Sequence, residues 1–149
     1  MAAISGDELR ERQAPQEAAP MSEVSVDALD VRAWSLASGL ARAAIGVGML
    51  AAPQQSLRAL GLTEVSPATV MVSRIAGIRD LVLGAATLTA LGDRDRLRAA
   101  TLASAVADAG DTFAFGVGLG TSERTAGARG IAAALPAAIA GVWTAWRLS

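Results

Sequence analysis

Four long apolar blocks dominate the chain, and residues that start or stop helices separate them. The first runs from about Asp27, a capping residue type, to Ala52, and Pro53 stops it. The second opens at Ser66-Pro67, a capping serine followed by proline at the first helical position, and ends at Gly92. The third follows Asp93 and ends in the run Gly116-Val117-Gly118-Leu119-Gly120. The fourth opens after Thr121-Ser122 and reaches Trp146. Between the first two, PQQSLRALGL predicts one or two turns of interfacial helix ending at Gly61. No block alternates with a period of two, and β-branched residues are sparse, which excludes strands. Each block reads as a helix of roughly 20–26 residues, and at ~1.5 Å per residue spans about 30–39 Å, the depth of a bilayer core.

Ahead of these blocks the pattern changes. Residues 1–32 hold ten of the charged groups, and the remaining 117 residues hold only 17. The leader has no basic, apolar and small-residue succession of a secretory signal. It reads as a disordered tail over residues 1–26, or as sequence ahead of a true start at Met21. The predicted fold is therefore all-α: a four-helix transmembrane bundle over 27–149 with a disordered polar leader, its spans near 33–52, 67–91, 99–120 and 127–147. A soluble, alanine-rich helical bundle is the competing architecture. It would need a broad polar stripe on every helix, and these helices offer Ala, Leu, Val, Ile and Gly almost all round.

Arginine placement predicts orientation. With four spans, Arg10, Arg12, Arg32, Arg94, Arg96, Arg98 and Arg147 share one side, and Arg58, Arg124 and Arg129 lie on the other. Seven against three puts both termini in the cytoplasm and the chain in the inner membrane. Trp34, Trp143 and Trp146 fall at that same interface, where indole rings prefer to sit.

Composition then narrows the chemistry. The chain is 52% hydrophobic and 18% charged, with net charge −1. That leaves no electrostatic case for nucleic acid. Histidine and cysteine are absent, which removes the commonest general base, the thiolate nucleophile and the commonest metal ligands. All 13 cationic residues are arginine. No catalytic residue, cofactor site or metal site is assigned, and the balance leans away from an enzyme.

The charges inside the blocks are the informative exceptions. Ser35, Gly39, Arg42, Gly46 and Met49 follow a 4-3-4-3 spacing, as do Ser73, Gly77, Asp80, Gly84 and Thr87. Thr101, Ser104, Asp108, Asp111 and Phe115 follow 3-4-3-4. Each set is one helix face, small or polar, suited to a helix–helix seam in a membrane. Counted at ~1.5 Å per residue from the cytoplasmic ends, Arg42, Asp108, Asp80, Arg79 and Asp111 lie about 12–18 Å deep, and Arg74 lies nearer the outer interface. The signs of Arg42, Arg74 and Arg79 cancel those of Asp80, Asp108 and Asp111. These six form the candidate buried polar cluster. It reads as an ion-pair cluster fixing helix register, or as a proton, ion or small-substrate site.

Weaker signals remain. Gly116-x-x-x-Gly120, Gly48-x-x-x-Ala52 and Ala137-x-x-x-Gly141 have the spacing of close helix contacts, and Pro136 predicts a kink in the fourth span. The segment Gly39–Gly46 echoes Gly77–Gly84, each placing arginine between glycines.

The order Arg42-x-x-x-Gly46, Ala52-Pro53, Leu60-Gly61, Arg74, Gly77-Ile-Arg79-Asp80-Leu-x-Leu-Gly84 and Asp108-Ala-Gly-Asp111 resembles a family of small four-helix integral membrane proteins. They are common in high-GC actinobacteria and known as a domain of unknown function. The resemblance covers roughly residues 33–148. It implies four spans and a membrane location, and it carries no activity onto this chain. DoxX-like four-helix membrane proteins are a neighbouring type, but no motif here requires them. The expected partners are the lipid bilayer and either a second copy or another membrane protein. The expected role is that of an associating or structural component, with a transporter or enzyme acting on protons or a small substrate as the alternative.

Overall fold

The computed structural model describes residues 26–149. Contacts divide the chain into a unit up to Asp30 and a compact unit from Val31 to Ser149. The described residues are all-helical: α1 Val26–Ala51, α2 Pro53–Leu60, α3 Pro67–Thr89, α4 Arg94–Gly118 and α5 Arg124–Arg147. The predicted leader, with its two possible starts, lies outside the described residues. Asp27 lies within α1 rather than at its cap.

Local chemistry sets the ends. Ser66 Oγ accepts from the Thr69 amide at 3.2 Å, with Pro67 opening α3. Asp93 accepts from the amides of Asp95 and Arg96, both at 3.1 Å, and starts α4. These groups satisfy amides that a helix start leaves without partners. The short α2 ends at Gly61, the only positive-φ residue among those described, at φ 105°. The Gly61 amide donates to Arg58 O at 3.0 Å and the Leu62 amide to Leu57 O at 3.1 Å, which turns the chain back toward α3.

Two glycine pairs bring α1 and α3 together in antiparallel register. A Cβ on Gly46 would lie 2.6 Å from Gly77 O, and one on Gly84 would lie 2.8 Å from Gly39 O. No side chain fits either gap, so the backbones meet directly. The echoed segments Gly39–Gly46 and Gly77–Gly84 are thus the two halves of one crossing. Helices α4 and α5 also run antiparallel, with Gly141 on Ala105 at one level and Gly130 against the Phe115 ring at another. Of the three small-residue pairs, only Ala137-x-x-x-Gly141 reaches another helix closely. Gly116 has open space around it and Gly48 meets only Ser56, because both lie off the seams. Pro136 sits on the outward side of α5, which continues through it as one helix.

The interior is small and polar, and the exterior is large and apolar. Among the described residues, six of the nine buried hydrophobic residues are alanine, whereas Arg42, Asp80 and Asp108 are buried with several Ser and Thr. Meanwhile Ile75, Ile78, Val82, Val106, Phe113 and Ile139 are all more than half exposed. A water-soluble core has the reverse arrangement. Among the described residues, two helices are long and apolar enough to cross a membrane: Asp30–Ala51 within α1, and Arg124–Arg147.

Candidate functional site

Seam spacing dictates where the charges go. Arg42 lies between Gly39 and Gly46 on α1, and Asp80 lies between Gly77 and Gly84 on α3. The glycine crossing therefore sets these two side chains opposite each other. Arg42 Nη1 donates to Asp80 Oδ1 at 2.8 Å. Its Nη2 donates to Asp108 Oδ2 on α4 and, at 3.4 Å, to the Ser104 carbonyl. Arg42 thus ties three helices through one planar fork, a geometry available to guanidinium and not to ammonium. One turn along α4, Asp111 takes Arg79 in a two-pronged pair at 2.7 and 2.6 Å. Arg79 Nη2 also reaches Asp80 Oδ1 at 3.5 Å. The result is one continuous chain: Asp108–Arg42–Asp80–Arg79–Asp111.

Its two ends differ. The side chains of Arg42, Asp80 and Asp108 are each only 10% exposed, whereas Arg79 and Asp111 are 36% and 30% exposed. Five of the six candidate residues therefore meet. Arg74 does not: it is exposed and makes no ion pair among the described residues. It sits one position past Ser73, so the helical turn of about 100° per residue carries it off the seam. This corrects the expected charge balance. The network holds three carboxylates and two guanidiniums, an excess of one negative charge.

Beside Asp108 lies a cavity of about 30 Å³ lined by Trp34, Ser35, Ser38, Arg42, Thr87, Thr101, Ser104, Asp108, Ala137 and Gly141. About 10–15 Å³ admits one water, so the cavity has room for roughly two. Ser104 Oγ is buried and has no hydrogen-bond partner among the described residues, as is also true of Ser73 Oγ and Arg79 Nε. The wall also holds Ser38, which lies outside the Ser35-Gly39-Arg42-Gly46-Met49 set. Its place three residues after Ser35 and four before Arg42 puts it on the same face and is the signal that marks it.

A family model described as Domain of unknown function (DUF4267) matches residues 39–148, well over half of the chain. The chain belongs to the DUF4267 family. The match accords with the resemblance drawn from the Gly-Ile-Arg-Asp-Leu and Asp-Ala-Gly-Asp segments. In this DUF4267 chain the matched region opens at Gly39, the first glycine of the α1–α3 crossing, and contains all five network residues. Trp34, Ser35 and Ser38 of the cavity wall precede it. No curated protein and no solved structure gives a significant match.

Proposed function

We propose that this DUF4267 protein is a multi-pass inner-membrane protein that crosses the bilayer four times with both termini in the cytoplasm. In this reading it serves as an associating component of the membrane. The observation that carries it is the inverted distribution of side chains on α3 and α4. These two helices contain Arg79, Asp80, Asp108 and Asp111, which lower their apolarity, yet those groups are turned onto one another. What α3 and α4 present outward includes Met71, Ile75, Ile78, Val106 and Phe113. An apolar exterior of this kind suits lipid. Intramembrane charges that face the bundle and pair are the arrangement a bilayer tolerates.

Orientation rests on the arginine asymmetry and the shared end of the three tryptophans. At that end Arg147 lies over the rings of Trp143 and Trp146, 5.2 and 5.9 Å from their centroids, and Arg94 donates to the Leu148 carbonyl at 3.1 Å. Such a belt of indole and arginine fits a headgroup layer. The partners in this reading are the bilayer and a second copy or another membrane protein on the apolar exterior. Alkaline carbonate extraction, with reporter fusions after Ser149 and within residues 121–123, tests the proposal. The protein should stay in the membrane pellet, with the first reporter active only as a cytoplasmic fusion and the second only as a periplasmic one. Release by carbonate would support the soluble bundle, and reversed reporters would invert the topology.

The hydroxyl-lined cavity beside Asp108 favours a second reading, in which the network handles protons.

A further inference from the structure

We propose that the buried network binds one proton, held on the Asp108 carboxyl, and exchanges it with water through the hydroxyl-lined cavity. This inference rests on the membrane reading above. It begins from the charge excess, since three carboxylates share two guanidiniums and a net charge buried in a bilayer is costly. Asp108 is the least supported of the three carboxylates. Asp111 has both oxygens on Arg79, and Asp80 lies against both arginines. Asp108 has one ionic contact, to a nitrogen of Arg42, whose other terminal nitrogen serves Asp80.

The cavity supplies the second, independent observation. Ser104 is 7% exposed, lines the cavity with Asp108, and has an Oγ without a partner among the described residues. A protonated Asp108 would offer a donor where the ionised form offers none, and a water in the cavity that both residues line would carry that bond on to Ser104 Oγ. Three of the other four hydroxyls on the wall are arranged differently. Ser35 donates to Val31 O at 2.8 Å, Thr87 to Leu83 O at 2.9 Å and Thr101 to Leu97 O at 2.7 Å. Their protons are committed, so they offer lone pairs to the cavity, a wall that accepts from water or hydronium.

The charged groups facing Asp108 are few. Helix α1 contributes Arg42, α3 contributes Asp80 with Arg79 behind it, and α4 contributes Asp111. Helix α5 contributes only Ala137 and Gly141, and α2 contributes nothing to the wall. The Arg42 guanidinium on the wall opposes a metal cation, which needs a full shell of oxygens, whereas a proton needs only one lone pair. The step balances simply. A hydronium loses one proton and becomes water, an O–H bond forms on the Asp108 oxygen not engaged by Arg42, and no electrons change owner.

The test is infrared spectroscopy of the full chain reconstituted in lipid vesicles, each variant first checked for helicity and carbonate-resistant insertion. The wild type should show one protonated-carboxyl C=O band that shifts in D2O, and Asp108→Asn should abolish it. Asp80→Asn or Asp111→Asn should abolish it too, although Asp108 remains, because either change balances two carboxylates against two guanidiniums. A role confined to packing would not produce that remote loss. Glu64→Gln, outside the network, should leave the band intact. An inserted wild type with no such band, or a band surviving in Asp108→Asn, would overturn the proposal. Loss of the band on adding Na⁺ at fixed pH would overturn it in favour of a metal-cation site. Failure to insert would count against the membrane reading instead.

Discussion

Replacing Arg42 by glutamine removes the hub of the network and should be among the most damaging single changes in the bundle. The change deletes the 2.8 Å pair to Asp80, the contact to Asp108 and the weaker bond to the Ser104 carbonyl. Two carboxylates, each 10% exposed, then face one another with only Arg79 in reach of one of them. Breaking a buried pair by removing one partner costs about 3–5 kcal/mol. On a scale where 1 kcal/mol moves the midpoint of a domain of this size by roughly 2–4 °C, the melting temperature should fall by roughly 6–20 °C. Asp108→Asn should cost much less, because it leaves two carboxylates against two guanidiniums. The triple variant Arg42→Gln, Asp80→Asn, Asp108→Asn should recover much of the loss. Helical circular dichroism during thermal unfolding in one detergent reads all three. The reasoning fails if Arg42→Gln unfolds within about 1 kcal/mol of wild type, or if Asp108→Asn is equally damaging.

Three further outcomes follow from particular contacts. Gly46→Ala places a Cβ 2.6 Å from the Gly77 carbonyl and should destabilise by about 1–3 kcal/mol in the same melt, since backbone cannot yield as a flexible side chain would. Arg74→Gln should lie within about 0.5 kcal/mol of wild type, because Arg74 is exposed and outside the network. Asp93→Ala removes the acceptor for the Asp95 and Arg96 amides and should cost about 1 kcal/mol, read as a lower unfolding midpoint.

Much of this was legible in the chain because glycine and charge share a helical period. The spacing Gly39–Arg42–Gly46 and Gly77–Asp80–Gly84 puts each charge on a small-residue seam, but which charges pair across the seams is not in the spacing. Ser66, Asp93 and Gly61 announce their helix ends by chemistry that acts within four residues. Arg74 carries the sign the cluster needs, but its angle around the helix turns it outward, and sign alone does not encode that. The choice of Arg42 as the partner of Asp108 was illegible for a different reason. It depends on how α4 docks on the α1–α3 pair, a long-range fit that no local spacing encodes. Likewise the Gly116-x-x-x-Gly120 repeat has the right spacing, but Gly116 packs on nothing, since small residues in an alanine- and glycine-rich chain recur by chance.

The central claim is that α3 and α4 lie in the bilayer with their charges turned inward. Spin labels on single cysteines at Ile78 and Val106 test it most directly, in a chain that has no cysteine of its own. Both positions face outward, at 55% and 73% exposure. In vesicles both labels should be relaxed strongly by oxygen and weakly by a water-soluble nickel chelate, as expected deep in lipid. Strong relaxation by the nickel chelate at either site, in a protein that remains helical, would contradict the account.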